Sequence, residues 1–96
     1  MTEVKLNSYK GRNIQRSFNW ARENGKTCDS IYDLYKSPSS AKYRAFEYCR
    51  NMYNELEGVG GMYYTGAGCQ TFSIAYVTKN GDIVKHTASY DYIVKA

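Results

Sequence analysis

Apolar side chains recur every three to four positions in the first part of the chain and every second position near its end, so the chain reads as helices followed by strands. Ile14, Phe18 and Ala21 fall at i, i+4 and i+7 and predict a helix over Asn13–Asn24, stopped by Gly25. Arg12, Arg16, Asn19 and Glu23 lie opposite that stripe, and Trp20 projects well away from it. A short helical turn is expected over Ser30–Tyr35. Ser37-Pro38 then places a capping hydroxyl before a residue with preset helical φ, which starts a second helix running from Pro38 to Glu57 and ending at Gly58. Ala41, Ala45, Tyr48, Cys49, Met52 and Leu56 share its apolar face, and Phe46 and Tyr53 widen that face enough to cross a sheet.

Beyond Gly58 the period drops to two. Short strands are predicted over Met62–Thr65, Thr71–Thr78 and Asp82–Tyr90, with Tyr92-Ile93-Val94 as a continuation or a fourth strand. The glycine clusters at 58–61 and 66–68 read as turns. Asn80-Gly81 reads as a type I′ hairpin turn. The expected product is one α+β domain over residues 1–96, in the order α-α-β-β-β. A three- or four-stranded antiparallel meander is covered on one face by the second helix, with the first helix beside it or across one end and the other face open to water. Residues 1–9, with Val4 and Leu6 alternating, form either a short strand or a flexible arm.

Composition narrows the chemistry. The chain is 43% hydrophobic with a single proline, which fits a globular domain rather than a disordered one. Cys28, Cys49 and Cys69 form no C-x-x-C pair, and with His86 as the sole histidine they make no zinc set. They read as reduced, buried thiols of a cytosolic protein. Neither glycine cluster has the strand–loop–helix context of a phosphate-cradling loop. No nucleophile–base pair stands out, so the expectation is a non-enzymatic protein without a cofactor. The first residues lack an apolar signal core, and no apolar run is long enough to span a bilayer.

Charge changes the picture most. The net charge is +4, and residues 1–26 carry all of it: six basic side chains against Glu3 and Glu23, leaving residues 27–96 with seven of each sign. Charge so segregated makes a directional field. Arg12 and Arg16, one helical turn apart, can grip carboxylate or phosphate, and Arg22 and Trp20 share their segment. Trp and Arg dominate protein hot spots, and they also grip phosphates and stack bases. Eleven tyrosines add contact capacity, of which Tyr43, Tyr63 and Tyr64 are the candidates for secondary contacts.

The stretch Tyr35-Lys36-Ser37-Pro38-Ser39-Ser40-Ala41-Lys42, continuing through Ala45, Tyr48-Cys49, Leu56 and Gly58 to Thr71-Phe72-Ser73 and Thr87-Ala88-Ser89-Tyr90-Asp91-Tyr92, resembles small proteins of phages and mobile elements in Gram-positive bacteria. The resemblance covers about residues 30–96 and leaves out the basic arm. Proteins of that kind include anti-CRISPR proteins, among them inhibitors of type II RNA-guided nucleases. The resemblance implies a non-enzymatic inhibitor in the bacterial host cytoplasm that occludes a large protein or ribonucleoprotein complex. It supplies no site residues. A pI near 9.0 argues against mimicry of DNA by bulk charge and for contact with nucleic acid or an acidic protein patch. A free nucleic-acid-binding module for replication or transcription, and a homo-oligomeric accessory protein, are the alternatives.

Overall fold

The computed structural model describes residues 1–28, 41–67, 72–87 and 90–96. Seven elements follow in the order β1 (Thr2–Lys5), α1 (Tyr9–Glu23), α2 (Ala41–Glu55), β2 (Gly58–Ala67), β3 (Phe72–Thr78), β4 (Ile83–His86) and β5 (Asp91–Lys95). The expected turn of helix at 30–35 and the Ser37-Pro38 helix start lie outside the described residues.

The chain is α+β, and its sheet is larger than expected. Five strands align in the order β1-β5-β4-β3-β2. The last four form the antiparallel meander, but β1 joins β5 in parallel, with Val4 opposite Val94. Residues 1–9 are therefore not a loose arm, and Leu6 extends the ladder by donating to the Lys95 carbonyl at 2.8 Å. Tyr92-Ile93-Val94 belongs to a separate strand, β5, which pairs antiparallel with β4.

Helix α1 starts a turn earlier than its apolar period shows. Ser8 caps it, its Oγ accepting from the Gly11 N–H at 3.0 Å. At the other end Lys26 N–H reaches the Ala21 carbonyl and Gly25 N–H the Arg22 carbonyl, with Gly25 at φ 62, so the predicted glycine stop is a Schellman motif. The end of α2 differs from expectation. Glu57, at φ 51, takes the left-handed position, and Gly58 opens β2 instead of acting as the cap.

The Gly58–Gly61 cluster is likewise strand rather than turn. Gly60 and Gly61 sit at positive φ inside β2, where the pairing with β3 shifts register between Val59 and Tyr63. Only glycine enters that bulge without strain. The Asn80-Gly81 hairpin forms, but only Gly81 has positive φ (87°). The Gly81 N–H bonds the Thr78 carbonyl, and the Thr78 N–H bonds the Asp82 carbonyl. This is a three-residue loop with a G1 bulge, not a type I′ turn.

The sheet is covered on both faces, where one was expected to stay open. Ile74, Tyr76 and Val84 face α2, meeting Phe46 and Cys49, with Tyr53 and Leu56 packed alongside. Ala75, Ile83 and Val94 face α1, meeting Ile14 and Phe18. The predicted alternation along β3 and β4 thus serves two cores rather than one core and a wet face. The consequence for function is that α1 lies flat on the sheet by its apolar stripe, which fixes the direction its polar side faces.

Candidate functional site

Helix geometry sorts the candidate residues of α1. With Ile14, Phe18 and Ala21 buried, Arg12, Arg16 and Trp20 follow one another at successive turns along the outer side. All three are exposed, and the Trp20 indole is 52% accessible. Arg12 is steadied by donating from Nη1 to the Asn7 carbonyl at 2.6 Å. It and Arg16 line a shallow depression with Leu6, Gln15 and Asn19. Neither arginine meets a carboxylate among the described residues, so both charges are free to act on a visitor. Arg22 lies off their line. Two residues beyond Trp20, it points to the flank opposite the indole, where its guanidinium lies 4.7 Å from the Phe18 ring centre and donates to Asn19, at the edge of that depression, at 3.3 Å.

The tyrosines divide in the same way. Tyr63 and Tyr64, adjacent in β2, point to opposite sheet faces. Tyr63 packs edge-on to Phe18 under α1, while Tyr64 lies against the α2 core. Both are half-buried, so they do not form one contact pair. Tyr64 keeps a link to the surface through Lys26, whose ammonium sits 5.9 Å from its ring centre and 5.8 Å from that of Trp20. Tyr43 is half-buried on α2, the helix across the sheet from α1. Tyr48, placed by its period on the apolar face of α2, is 51% exposed.

A buried polar chain runs beneath α2, and no sequence motif announces it. Tyr76, His86 and Asp91 come from β3, β4 and β5. The Tyr76 hydroxyl is 2.9 Å from His86 Nε2, and His86 Nδ1 is 2.6 Å from Asp91 Oδ1. A carboxylate only accepts, which assigns the proton to Nδ1; in that tautomer Nε2 accepts from the tyrosine, and each polar atom of the ring is satisfied. Tyr48 closes the outer end, donating to Asp91 Oδ2 at 3.4 Å. His86 and Tyr76 have no accessible surface. The only sequence signal is alternation, which puts Tyr76 and His86 on one face.

Burial, and secondarily the Asp91 charge, pushes the Cys49 thiol up to about 12, and burial likewise raises the Tyr76 phenol. Cys49 is thus an inert core thiol, and Cys28 is also buried and free. Cys69 lies outside the described residues. Because the folded state holds these protons more tightly than the unfolded chain, their stabilising contribution is intact below about pH 9 and is lost as pH climbs toward 12. Urea unfolding compared at pH 8 and pH 10 is expected to show a drop approaching about 1.4 kcal/mol per pH unit above the ordinary thiol range. Equal midpoints at the two pH values would contradict the assignment.

Among the described residues no group of three or more His, Cys, Asp or Glu could hold a metal ion, and no helix is long and apolar enough to cross a membrane. Comparison of the chain with protein-family models, curated proteins and solved structures found no match. The reading of function therefore rests on the surface of α1.

Proposed function

We propose that this protein is a small non-enzymatic binding protein that docks the outer side of α1 on a nucleic-acid-handling complex and blocks it by occlusion, an RNA-guided nuclease being the intended type of target. The observation that carries the reading is the exposed run Arg12, Arg16 and Trp20, with both cations lacking carboxylate partners among the described residues. A half-exposed indole beside guanidiniums that meet no carboxylate among the described residues is the composition of an interface anchor. The net charge of +4 selects a polyanionic or acidic counterpart.

The test is cleavage by a guide-loaded nuclease in the presence of the purified protein, repeated across several representative nucleases. Inhibition is expected, and Trp20→Ala or Arg16→Glu is expected to weaken it by about thirtyfold or more, the threshold of an interface hot spot. Cleavage that proceeds unchanged with all of them would count against the proposal. Inhibition untouched by both substitutions would move the docking surface elsewhere.

A further inference from the structure

The flank of α1 facing β4 and β5 carries a second feature that the charge pattern alone does not disclose. Tyr9 and Lys10 open the helix there, Asn13 follows one turn on, and Lys85 of β4 and Tyr92 of β5 rise from the sheet to meet them, with Tyr90 at the mouth. The cleft between them has a volume of about 160 Å³, that of roughly five water molecules. Tyr9 and Tyr90 are among the most exposed aromatic side chains of the described residues, at 77% and 50%.

Its electrostatics are one-sided. Lys10 donates from Nζ to the Tyr92 hydroxyl at 2.8 Å and sits 4.4 Å from the centre of the same ring. The ammonium is held in place by a phenol, which leaves its charge uncompensated. Lys85 enters from the opposite wall, and neither lysine meets a carboxylate among the described residues. Tyr90 and Tyr92 lie with ring centres 4.9 Å apart and planes tilted by 58°, so the wall is an aromatic corner beside two cations.

The cleft also has a direction. Asn13 and Trp20 lie on the same flank of α1, seven residues and so about 10 Å apart. That is the length of about three stacked nucleotides at a rise of about 3.4 Å each. Beyond Trp20 comes Lys26. The track therefore begins with tyrosines and lysines and ends with an indole and a lysine.

We infer that this flank is a binding track for single-stranded nucleic acid. Lys10 and Lys85 take a phosphate, Tyr90 with Tyr9 stacks a base at the cleft, and Trp20 stacks a second base further along. An aromatic-walled cleft reads an unpaired base, which a duplex cannot present, whereas the shallow Arg12–Arg16 depression, lined by no aromatic ring, can meet any phosphate backbone. The inference rests on the nucleic-acid-directed reading above and gives it a substrate class.

The experiment measures fluorescence anisotropy of a short labelled oligothymidylate, an oligouridylate and a blunt duplex with the purified protein at low salt. Single strands are expected to bind at least about tenfold more tightly than duplex, and the two single-strand probes show whether DNA or RNA is favoured. Tyr90→Ala is expected to weaken single-strand binding about fivefold to a hundredfold, as loss of a stacked base does, with duplex binding unchanged. Lys85→Gln should weaken it and flatten its salt dependence. In the unaltered protein, the oligothymidylate should shift the amide resonances of Lys10, Lys85 and Tyr90, a readout that needs no variant to fold. Single-strand binding that ignores Tyr90 and Lys85 but responds to Arg16 overturns the track and leaves the docking surface standing. Absence of any single-strand binding also overturns the track, while nuclease inhibition separately decides the proposed function.

Discussion

Replacing His86 with leucine is expected to lower stability by about 3 kcal/mol, read as a shift in the urea midpoint at unchanged slope. Leucine fits a buried position as well as histidine does, so the loss comes from the groups it strands. The Tyr76 hydroxyl has no exposure and loses its acceptor, and an orphaned buried donor costs about 1–3 kcal/mol. Asp91, whose side chain is 23% accessible, loses its 2.6 Å partner but keeps Tyr48 and water. Its share is smaller because solvent reaches it. The double variant Tyr76→Phe with His86→Leu separates this account from simple loss of packing. Removing both ends of the buried bond leaves no stranded hydroxyl, so the pair should cost less than the sum of the two single changes by about 1–2 kcal/mol. Strict additivity would show that the bond does not couple the strands.

This polar chain also marks the boundary of what the amino-acid order discloses. The alternation of Ile74 and Tyr76 with Ala75 and Val77 is local, and it placed both faces of β3 correctly. What it lacked was the knowledge that α1 would take the second face, since that depends on β1 pairing in parallel with β5 some ninety positions away. No short-range pattern reports such a pairing. The Ser8 cap carries no signal in the apolar period, because Lys10 and Arg12 obscure that period until Ile14. The glycines at 58–61 suggest a turn because glycine reaches positive φ freely, and the structure uses that freedom at Gly60 and Gly61 for a bulge within a strand.

The candidate surface is partly legible for the same reason. Arg12, Arg16 and Trp20 sit on one helix, and their relative directions follow from its period. Tyr63, Tyr64 and Arg22 were grouped with them by residue type, and pleat and helix geometry send those three elsewhere. The cleft of Lys10, Lys85 and Tyr90 joins three elements and could not be assembled from spacing.

The largest local effect outside the polar chain is expected from the smallest change, Gly11→Ala. Propensity alone forecasts a gain, because alanine in a helix interior is worth about 1 kcal/mol over glycine. The tertiary contact reverses the sign. A methyl at Gly11 would collide with the Lys5 carbonyl oxygen and come within 2.9 Å of its carbon and 3.0 Å of the Leu6 Cα. These are backbone atoms and have no rotamer to yield. The Lys5 carbonyl is also fixed, accepting from both the Ser8 N–H at 3.0 Å and the Ser8 Oγ at 2.5 Å. Relief requires moving the start of α1 off β1, which disturbs the Ser8 cap and the Leu6–Lys95 bond. A net loss of about 2 kcal/mol is the expected balance, since overpacking costs typically 1–3 kcal/mol and sometimes more. Amide exchange should locate the damage, with protection falling at β1 and the first turn of α1 before the β3–β4 pair is affected. The same displacement would swing Tyr9 and Lys10 away from Lys85 and Tyr92, so single-strand binding should weaken together with β1 protection. A Gly11→Ala chain as stable as the original, with β1 still protected, would show that the close approach of helix and strand does not hold this flank of α1 in place.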